Sequence, residues 1–202
     1  MNTTLLNRLA AGLLCAAGLA YCHPVLAEIP AGLSTTLPSK LPHVSLGEAS
    51  ALDAKLIGTW AVDYSDFNKN GKAVHRTGQF LVSWVLDGRA VQYLWIVDPS
   101  GSRKEREVYT ELRYFDPKSR SWNGVFFDPE HASMAKFTSE PQGDSIVMHS
   151  SDLGAADTRW TFGAIGPNSL IFRDEASDDG GKTWHLRSED HMTRQAGAKP
   201  AG

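Results

Sequence analysis

Gly58-Thr59-Trp60 marks the point at which the residue pattern of this 202-residue chain changes. The preceding stretch, residues 51–57, has the spacing of a one- or two-turn helix, and Ser50 with Asp53 has the pattern of a helix-capping pair. From Gly58 onward, apolar residues alternate with polar ones, which is typical of half-buried β-strands. The sequence therefore predicts one short N-terminal helix followed by a long series of strands.

About ten strands follow from this alternation. They are predicted at 59–65, 73–86, 89–98, 107–115, 121–127, 133–139, 145–150, 158–165, 169–176 and 183–194. The connections are short and rich in turn residues, and Asp87-Gly88 is predicted to form a two-residue hairpin. Because no helical pattern separates the strands, neighbours in sequence should pair antiparallel. We predict an all-β fold, a closed up-and-down antiparallel barrel, with a two-sheet sandwich as the alternative.

Several motifs along the chain resemble, in content and order, those of a bacterial lipocalin-like (calycin-type) family of unknown function. They are Gly58-Thr59-Trp60, 84–90, 114–117 with Trp122, 159–162 and 177–184. The resemblance covers residues 56–194 and implies a calycin-type barrel with a small-molecule ligand; it brings no catalytic residues. A more distant architectural similarity to nitrobindin, a ten-stranded haem barrel with a His on its last strand, keeps haem binding open as an alternative.

Two local motifs carry structural expectations. In lipocalin-like folds, an Arg from the end of the chain covers the Trp of the first strand, so Arg194 or Arg187 is expected over Trp60; a core Trp without a special partner is the alternative. Ser177 to Trp184 matches the Asp-box pattern S-x-D-x-G-x-T-W of sialidase propellers. A single copy in a chain of this length is interpreted as a structural hairpin turn.

Residues 1–27 have the features of a cleaved export signal. Arg8 supplies the positive charge, residues 9–20 are apolar but short for a membrane span, and Ala27 ends a cleavage site. We expect a periplasmic or secreted protein with no integral membrane segment in the mature chain. A lipoprotein anchored through Cys22 is the alternative, which the bulky Tyr21 disfavours. Residues 28–50 are predicted to be a Pro-rich linker, 51–194 the barrel, and 195–202 a disordered tail.

Composition excludes several classes of function. Both cysteines, Cys15 and Cys22, fall within the predicted signal, so the mature chain has no disulfide, thiol nucleophile or Cys-based metal site. The formal net charge of −3 argues against a nucleic-acid partner. The seven histidines lack metal-binding spacing. We therefore expect no metal and no cofactor, and a monomer or homodimer whose partner is a small-molecule ligand.

The candidate ligand-binding residues are the following aromatic and charged residues of the predicted strands: Trp84, Tyr93, Trp122, Arg159, Glu175 and His185. Aromatic residues in a small barrel fill the interior or line a pocket, and charged residues within apolar strands point to a polar site if they face inward. Arg113 and Arg173 are further such residues, although charged residues more often face solvent.

The leading functional hypothesis is a protein that binds a small, mostly apolar ligand inside the barrel. A metal-independent lyase or isomerase is the alternative, in which His185 or His75 would act with Glu175 as the acid–base partners. The sequence contains no catalytic motif that would identify these residues independently. A barrel with a filled interior and a purely structural role is the third. A cavity of at least about 300 Å³ with few converging charges would favour the binding protein. A His within hydrogen-bond reach of a carboxylate in that cavity, with shifted acidities, would favour the enzyme, and the lack of a cavity would favour the structural barrel.

Overall fold

The computed structural model describes residues 37–68, 70–153 and 156–196. Its elements are β1 Pro38–Ser39, a 3₁₀ helix Val44–Ser50, α1 Ala51–Leu56, β2 Gly58–Phe67, β3 Ala73–Val85, β4 Ala90–Val97, β5 Glu107–Asp116, β6 Ser121–Asp128, β7 Ser133–Gln142, β8 Ser145–Ser150, β9 Asp157–Gly163, β10 Ser169–Ser177 and β11 His185–Arg194. The predicted signal, Cys22 and most of the predicted tail lie outside the described residues.

Strands β2 to β11 form a closed antiparallel barrel. Each strand pairs with the next along the chain, and β11 returns to pair with β2, with Arg194 opposite Trp60. The long strand β3 pairs with both β2 and β4, so the ring of strands has no gap. Closure leaves none of the ten strands with an unpaired edge. The predicted up-and-down barrel of lipocalin-like type is confirmed, and the sandwich alternative is wrong.

The segment before α1 is not a free linker where the structure describes it. Pro38 and Ser39 pair with the end of β3, opposite Val85 and Trp84. The His43 amide donates to the Gly88 carbonyl at 2.9 Å. Residues 37–50 therefore belong to the barrel unit, whereas the sequence assigned them to a linker.

The turn between β3 and β4 also differs from the prediction. It spans four residues, from Leu86 to Arg89, where a two-residue hairpin was predicted. Three consecutive residues of the turn, Leu86, Asp87 and Gly88, have positive φ. A Cβ on Gly88 would lie 2.4 Å from the Leu41 carbonyl oxygen, so the close approach of the N-terminal segment requires glycine here.

Arg194 joins the last strand to the start of the first. Its guanidinium lies 4.0 Å from the ring centroid of the fully buried Trp60, as predicted for one of the two candidate arginines. The same group donates to the carbonyls of Ile57 at 2.7 Å and Lys55 at 2.6 Å, at the end of α1. We call the end of the barrel at which Arg194, Trp60 and α1 meet the closed end. The opposite end, where the β10–β11 loop lies, is the open end.

A buried ion pair fixes α1 inside the closed end. Asp53 accepts hydrogen bonds from the Tyr93 hydroxyl at 2.9 Å and from the Arg113 guanidinium, which also donates to the Ser139 hydroxyl at 2.7 Å. The Ser50 side chain makes no capping bond. The predicted Ser50–Asp53 capping pair is therefore wrong, because Asp53 faces the interior, where the buried Arg113 requires a counter-charge.

The helices in the described part of the chain are all too short or too polar to span a membrane.

The Asp-box segment forms the β10–β11 turn, as predicted. The Asp179 carboxylate accepts from the backbone amides of Lys182 and Thr183, both at 2.9 Å, and from the Thr183 hydroxyl at 2.7 Å. These bonds lower the pKa of Asp179 to about 2. The motif therefore acts as a turn.

Replacing Arg194 tests the junction. Arg194→Lys removes the planar fork that reaches two carbonyls and the Trp60 ring at once, so it should lower the free energy of unfolding by about 1–3 kcal/mol in urea titration. Arg173→Lys is the matched control, because Arg173 makes an exposed ion pair with Glu189 and should lose less than about 0.5 kcal/mol. Equal losses in both variants would contradict this role for Arg194.

Candidate functional site

A cavity of about 470 Å³ occupies the open-end half of the barrel. Six aromatic residues from six strands line it: Tyr64, Trp95, Tyr109, Phe126, Trp160 and Phe172. Neighbouring rings are in contact, with centroid separations of 5.9 Å for Trp95–Tyr109, 5.6 Å for Tyr109–Phe126 and 5.8 Å for Phe126–Trp160. We call these six residues the aromatic wall. Such a wall offers a preformed apolar surface to a ligand.

The same cavity is rich in carboxyl groups. Those that line it are Asp66, Glu107, Glu111, Asp128, Asp174 and Asp190, against two arginines, Arg76 and Arg187. Arg76 donates to Asp66 at 2.7 Å and to Glu107 at 3.2 Å. Arg187 donates to Asp174 at 2.6 Å. Both guanidinium groups are therefore paired with carboxylates, and the cavity has an excess of acidic groups.

Glu111 and Asp190 are the two carboxyl groups of the cavity that form no ion pair within the described part of the chain. Glu111 is 3% exposed and Asp190 is 2% exposed. The Glu111 Oε1 accepts from the Trp95 indole at 3.3 Å, whereas Glu111 Oε2 and Asp190 Oδ1 have no hydrogen-bond partner in residues 37–68, 70–153 and 156–196. Buried oxygens of this kind cost free energy unless another group satisfies them.

Burial also changes the acidity of these two groups. It raises the pKa of Glu111 to about 7, against the opposing effect of the Arg113 charge. It raises the pKa of Asp190 to about 8, and the negative charges of Asp66 and Asp174 add to the effect. The cavity therefore contains two carboxyl groups that change charge near neutral pH, which is typical of binding and catalytic sites.

The mouth of the cavity has a cluster of groups able to coordinate a cation. Glu107, Asp128 and His131 have oxygen or nitrogen atoms within 4.8 Å of one another. His131 Nδ1 lies 2.7 Å from Asp128 Oδ2, which raises the pKa of the imidazole. Glu107, however, already pairs with Arg76 and with Arg103, the latter at 3.4 Å. These contacts define an ion-pair cluster, and we assign no metal to it.

Three of the predicted site residues face the interior but lie in its closed half. Trp84, Tyr93 and Trp122 are almost fully buried. Tyr93 and Trp122 pack on the Arg113 guanidinium, with ring centroids 5.0 Å and 4.9 Å from it. These residues help fill the closed end and do not line the open-end cavity.

The other three predicted site residues lie outside the lumen. Arg159 and Glu175 face outward and pair at 2.9 Å, and Arg159 also lies 4.3 Å from the ring centroid of Trp184. His185 is exposed at the start of β11, 4.0 Å from Asp178. The expectation that these residues line the barrel interior is corrected here, because on β9 the inward positions are those of Thr158 and Trp160.

Sequence reasoning missed the cavity carboxyls for two physical reasons. On β5, Glu107, Glu111 and Arg113 face inward, so its buried face is polar and the usual pattern is inverted. On β11, a bulge near Arg187, where β10 and β11 shift register, turns that arginine inward to Asp174. The sequence signal for the first was available, since Glu107, Tyr109, Glu111, Arg113 and Phe115 alternate on one face.

A second concave surface lies on the outside of the barrel. It encloses about 1140 Å³ and includes outward-facing side chains of β5 to β8, such as Leu112, Val125 and Lys136, with Trp184 at one edge. It is larger than the lumen cavity, but it is a groove on the outer wall. Glu111 and Asp190 line the lumen cavity, which we therefore regard as the candidate site.

Comparison with known proteins supports the fold. No protein-family model matches the chain, and no curated protein matches it significantly. Among solved structures, it is similar to the S-type phycobiliprotein lyase CPES of Guillardia theta, with a TM-score of 0.54 and 10% sequence identity over 74% of this chain and 93% of that one. At this identity the similarity establishes the fold alone. The chain is a lipocalin-like barrel, and membership of the family of unknown function finds no support from a family model.

Proposed function

We propose that this protein binds a small, mostly apolar ligand in the open-end cavity of the barrel. The observation that carries the proposal is the aromatic wall around about 470 Å³ of space. This volume falls within the range of about 300–1,000 Å³ for small-molecule sites. A purely structural barrel would have no reason to leave such a volume beside buried carboxyl groups whose oxygens lack partners.

The ligand site differs from the one that the sequence predicts. Trp84, Tyr93 and Trp122 lie in the closed half, where Trp122 lines a smaller cavity of about 300 Å³, and the ligand would instead contact the aromatic wall of the larger cavity near the other end. In this arrangement the ion pair of Asp53 and Arg113 forms part of the support beneath the cavity. The proposal keeps the predicted class of ligand and changes the residues that bind it.

An acid–base enzyme is the second candidate function. The raised pKa values of Glu111 and Asp190 favour it, because a group that titrates near neutral pH can both accept and donate a proton. His75, His185 and Glu175 would have no part in such chemistry, since His75 is exposed and bonds to Ser65 on the outer face.

Haem binding is the weaker alternative. The cavity is lined by no histidine among the described residues. His185 and His191, on the last strand, are both more than half exposed. An axial ligand to haem iron would have to come from elsewhere.

We also propose that the protein is exported, on the basis of the signal-like sequence of residues 1–27. The mature chain would begin at Glu28. Intact-mass measurement of protein purified after export tests this, with Glu28 as the expected first residue. A lipid-modified Cys22 or a retained Met1 would contradict it.

Filling the cavity should abolish ligand binding. Ser188 lines the cavity, so Ser188→Phe should occupy it and weaken binding of the fluorescent probe N-phenyl-1-naphthylamine by at least about tenfold. Thr193→Phe adds the same ring to the exposed outer face of the same strand and should leave binding unchanged. Fluorescence titration measures both variants, and thermal unfolding checks that each is folded.

The outer groove provides a second control. Leu112→Glu places a charge in that groove and should not affect the probe if the probe binds in the lumen. Probe binding that survives Ser188→Phe but is lost in Leu112→Glu would place the ligand outside the barrel and contradict the proposal. If the unmodified protein does not bind N-phenyl-1-naphthylamine, the proposal is also contradicted for ligands of that size and polarity.

A further inference from the structure

The charge distribution of the open-end cavity restricts the chemistry of its ligand. Arg76 is engaged by Asp66 and Glu107, and Arg187 by Asp174. Each guanidinium is therefore neutralised by a carboxylate, although the buried Arg187 Nε has no hydrogen-bond acceptor among the described residues. Once Glu111 and Asp190 ionise, they add negative potential in a partly enclosed space, where charges interact more strongly than in water. An anionic ligand would be repelled.

Two oxygen atoms at the cavity lack a partner. Glu111 Oε2 and Asp190 Oδ1 are buried, belong to residues at least 97% buried, and have no hydrogen-bond donor among the residues that the structure describes. They come from different strands, β5 and β11, whose side chains converge on the same cavity. A ligand that supplies donors or positive charge would satisfy both oxygens.

The aromatic wall has the complementary property. Indole, phenol and phenyl faces attract cations through their quadrupoles, and the attraction is stronger where the site is desolvated. Trp95 and Trp160 offer the ring type that binds cations best, and Tyr109 and Phe126 lie between them in the wall. Aromatic faces combined with unpaired carboxyl groups are the arrangement suited to an amine or a quaternary ammonium group.

Resting on the function proposed above, we propose that the ligand is an organic cation, an aromatic or apolar molecule whose ammonium group is held between Glu111, Asp190 and the aromatic wall. In the free protein, burial keeps both carboxyl groups mainly protonated below neutral pH. Binding of a cation favours their ionised forms, so complex formation releases protons in that range. The affinity should therefore increase with pH.

Several other groups face Glu111, Asp190 or the cavity and set this pH dependence. They are Tyr64, Asp66, Arg76, Glu107, Tyr109, Arg113, Asp128, Asp174 and Arg187, with His131 at the mouth. Of these, His131 would also make the affinity for a cation increase with pH. Its pKa is raised, and when it loses its proton with increasing pH, a positive charge disappears from the mouth of the cavity. The variant His131→Asn separates its contribution from that of the buried carboxyl groups.

Three naphthalene probes of similar size test the inference by isothermal titration calorimetry on the full mature protein. They are 2-naphthylmethyl-trimethylammonium, 2-naphthylmethanol and 2-naphthylacetate. At pH 8.5 the ammonium probe should bind at least about tenfold more tightly than the alcohol, and the acetate most weakly. The ammonium probe keeps its charge at every pH, so its affinity should rise about tenfold between pH 6 and 8.5 as one carboxyl group of pKa about 7 ionises.

Matched variants assign the effect to the two carboxyl groups. Glu111→Gln and Asp190→Asn should each weaken the ammonium probe at least about fivefold at pH 8.5 and change the alcohol less than twofold. Glu189→Gln, on the outer face of β11, should change neither probe. His131→Asn should retain most of the pH dependence.

The outcomes separate this inference from the proposed function. If the alcohol binds as tightly as the ammonium probe and both are blocked by Ser188→Phe, the inference is overturned and the lumen site stands. An ammonium preference that persists in both carboxyl variants also overturns it. If no probe binds, or if Ser188→Phe has no effect on any of them, the inference and the proposed function fail together.

Discussion

The ion pair between Asp53 and Arg113 is the contact on which the interior depends. Both side chains are at most 3% exposed, and the removal of one partner from such a pair leaves an uncompensated buried charge, at a cost of about 3–5 kcal/mol. Arg113 can occupy the lumen because α1 brings Asp53 to it, while Tyr93 and Trp122 cover its faces. Side chains and α1 therefore occupy most of the closed half, apart from a cavity of about 300 Å³ lined by Asp53, Arg113 and Trp122 among others, and the open-end cavity lies beyond it.

The same pair influences the cavity above it. Glu111 is two residues from Arg113 on the same inward face of β5, and the Arg113 charge favours its ionised form. Burial outweighs this charge and raises the pKa of Glu111 to about 7. For Asp190, burial likewise outweighs the opposing charge of Arg76. The closed half of the interior thus contains a neutralised ion pair, whereas the open-end cavity contains buried carboxyl groups that are accessible to a ligand.

The fold could be predicted from the sequence because closure depends on local patterns. Alternation and turn residues located all ten barrel strands within three residues of their observed ends, and Trp60 with Arg194 indicated how the ends meet. The site could not be predicted as well, because binary patterning assigns charged positions to solvent. Arg159 and Arg173 do face solvent, as that pattern predicts. Glu111 and Arg113 face the interior instead. The position of Asp53 explains why Arg113 can be buried there.

The central claim is that the lumen contains two carboxyl groups held largely uncharged by burial and available to a ligand. Carboxyl carbon NMR titration of the free protein measures this most directly, with Glu111→Gln and Asp190→Asn used to assign the two resonances. The account predicts midpoints near pH 7 for Glu111 and near pH 8 for Asp190. Midpoints near the ordinary value of about 4 for both groups would contradict it.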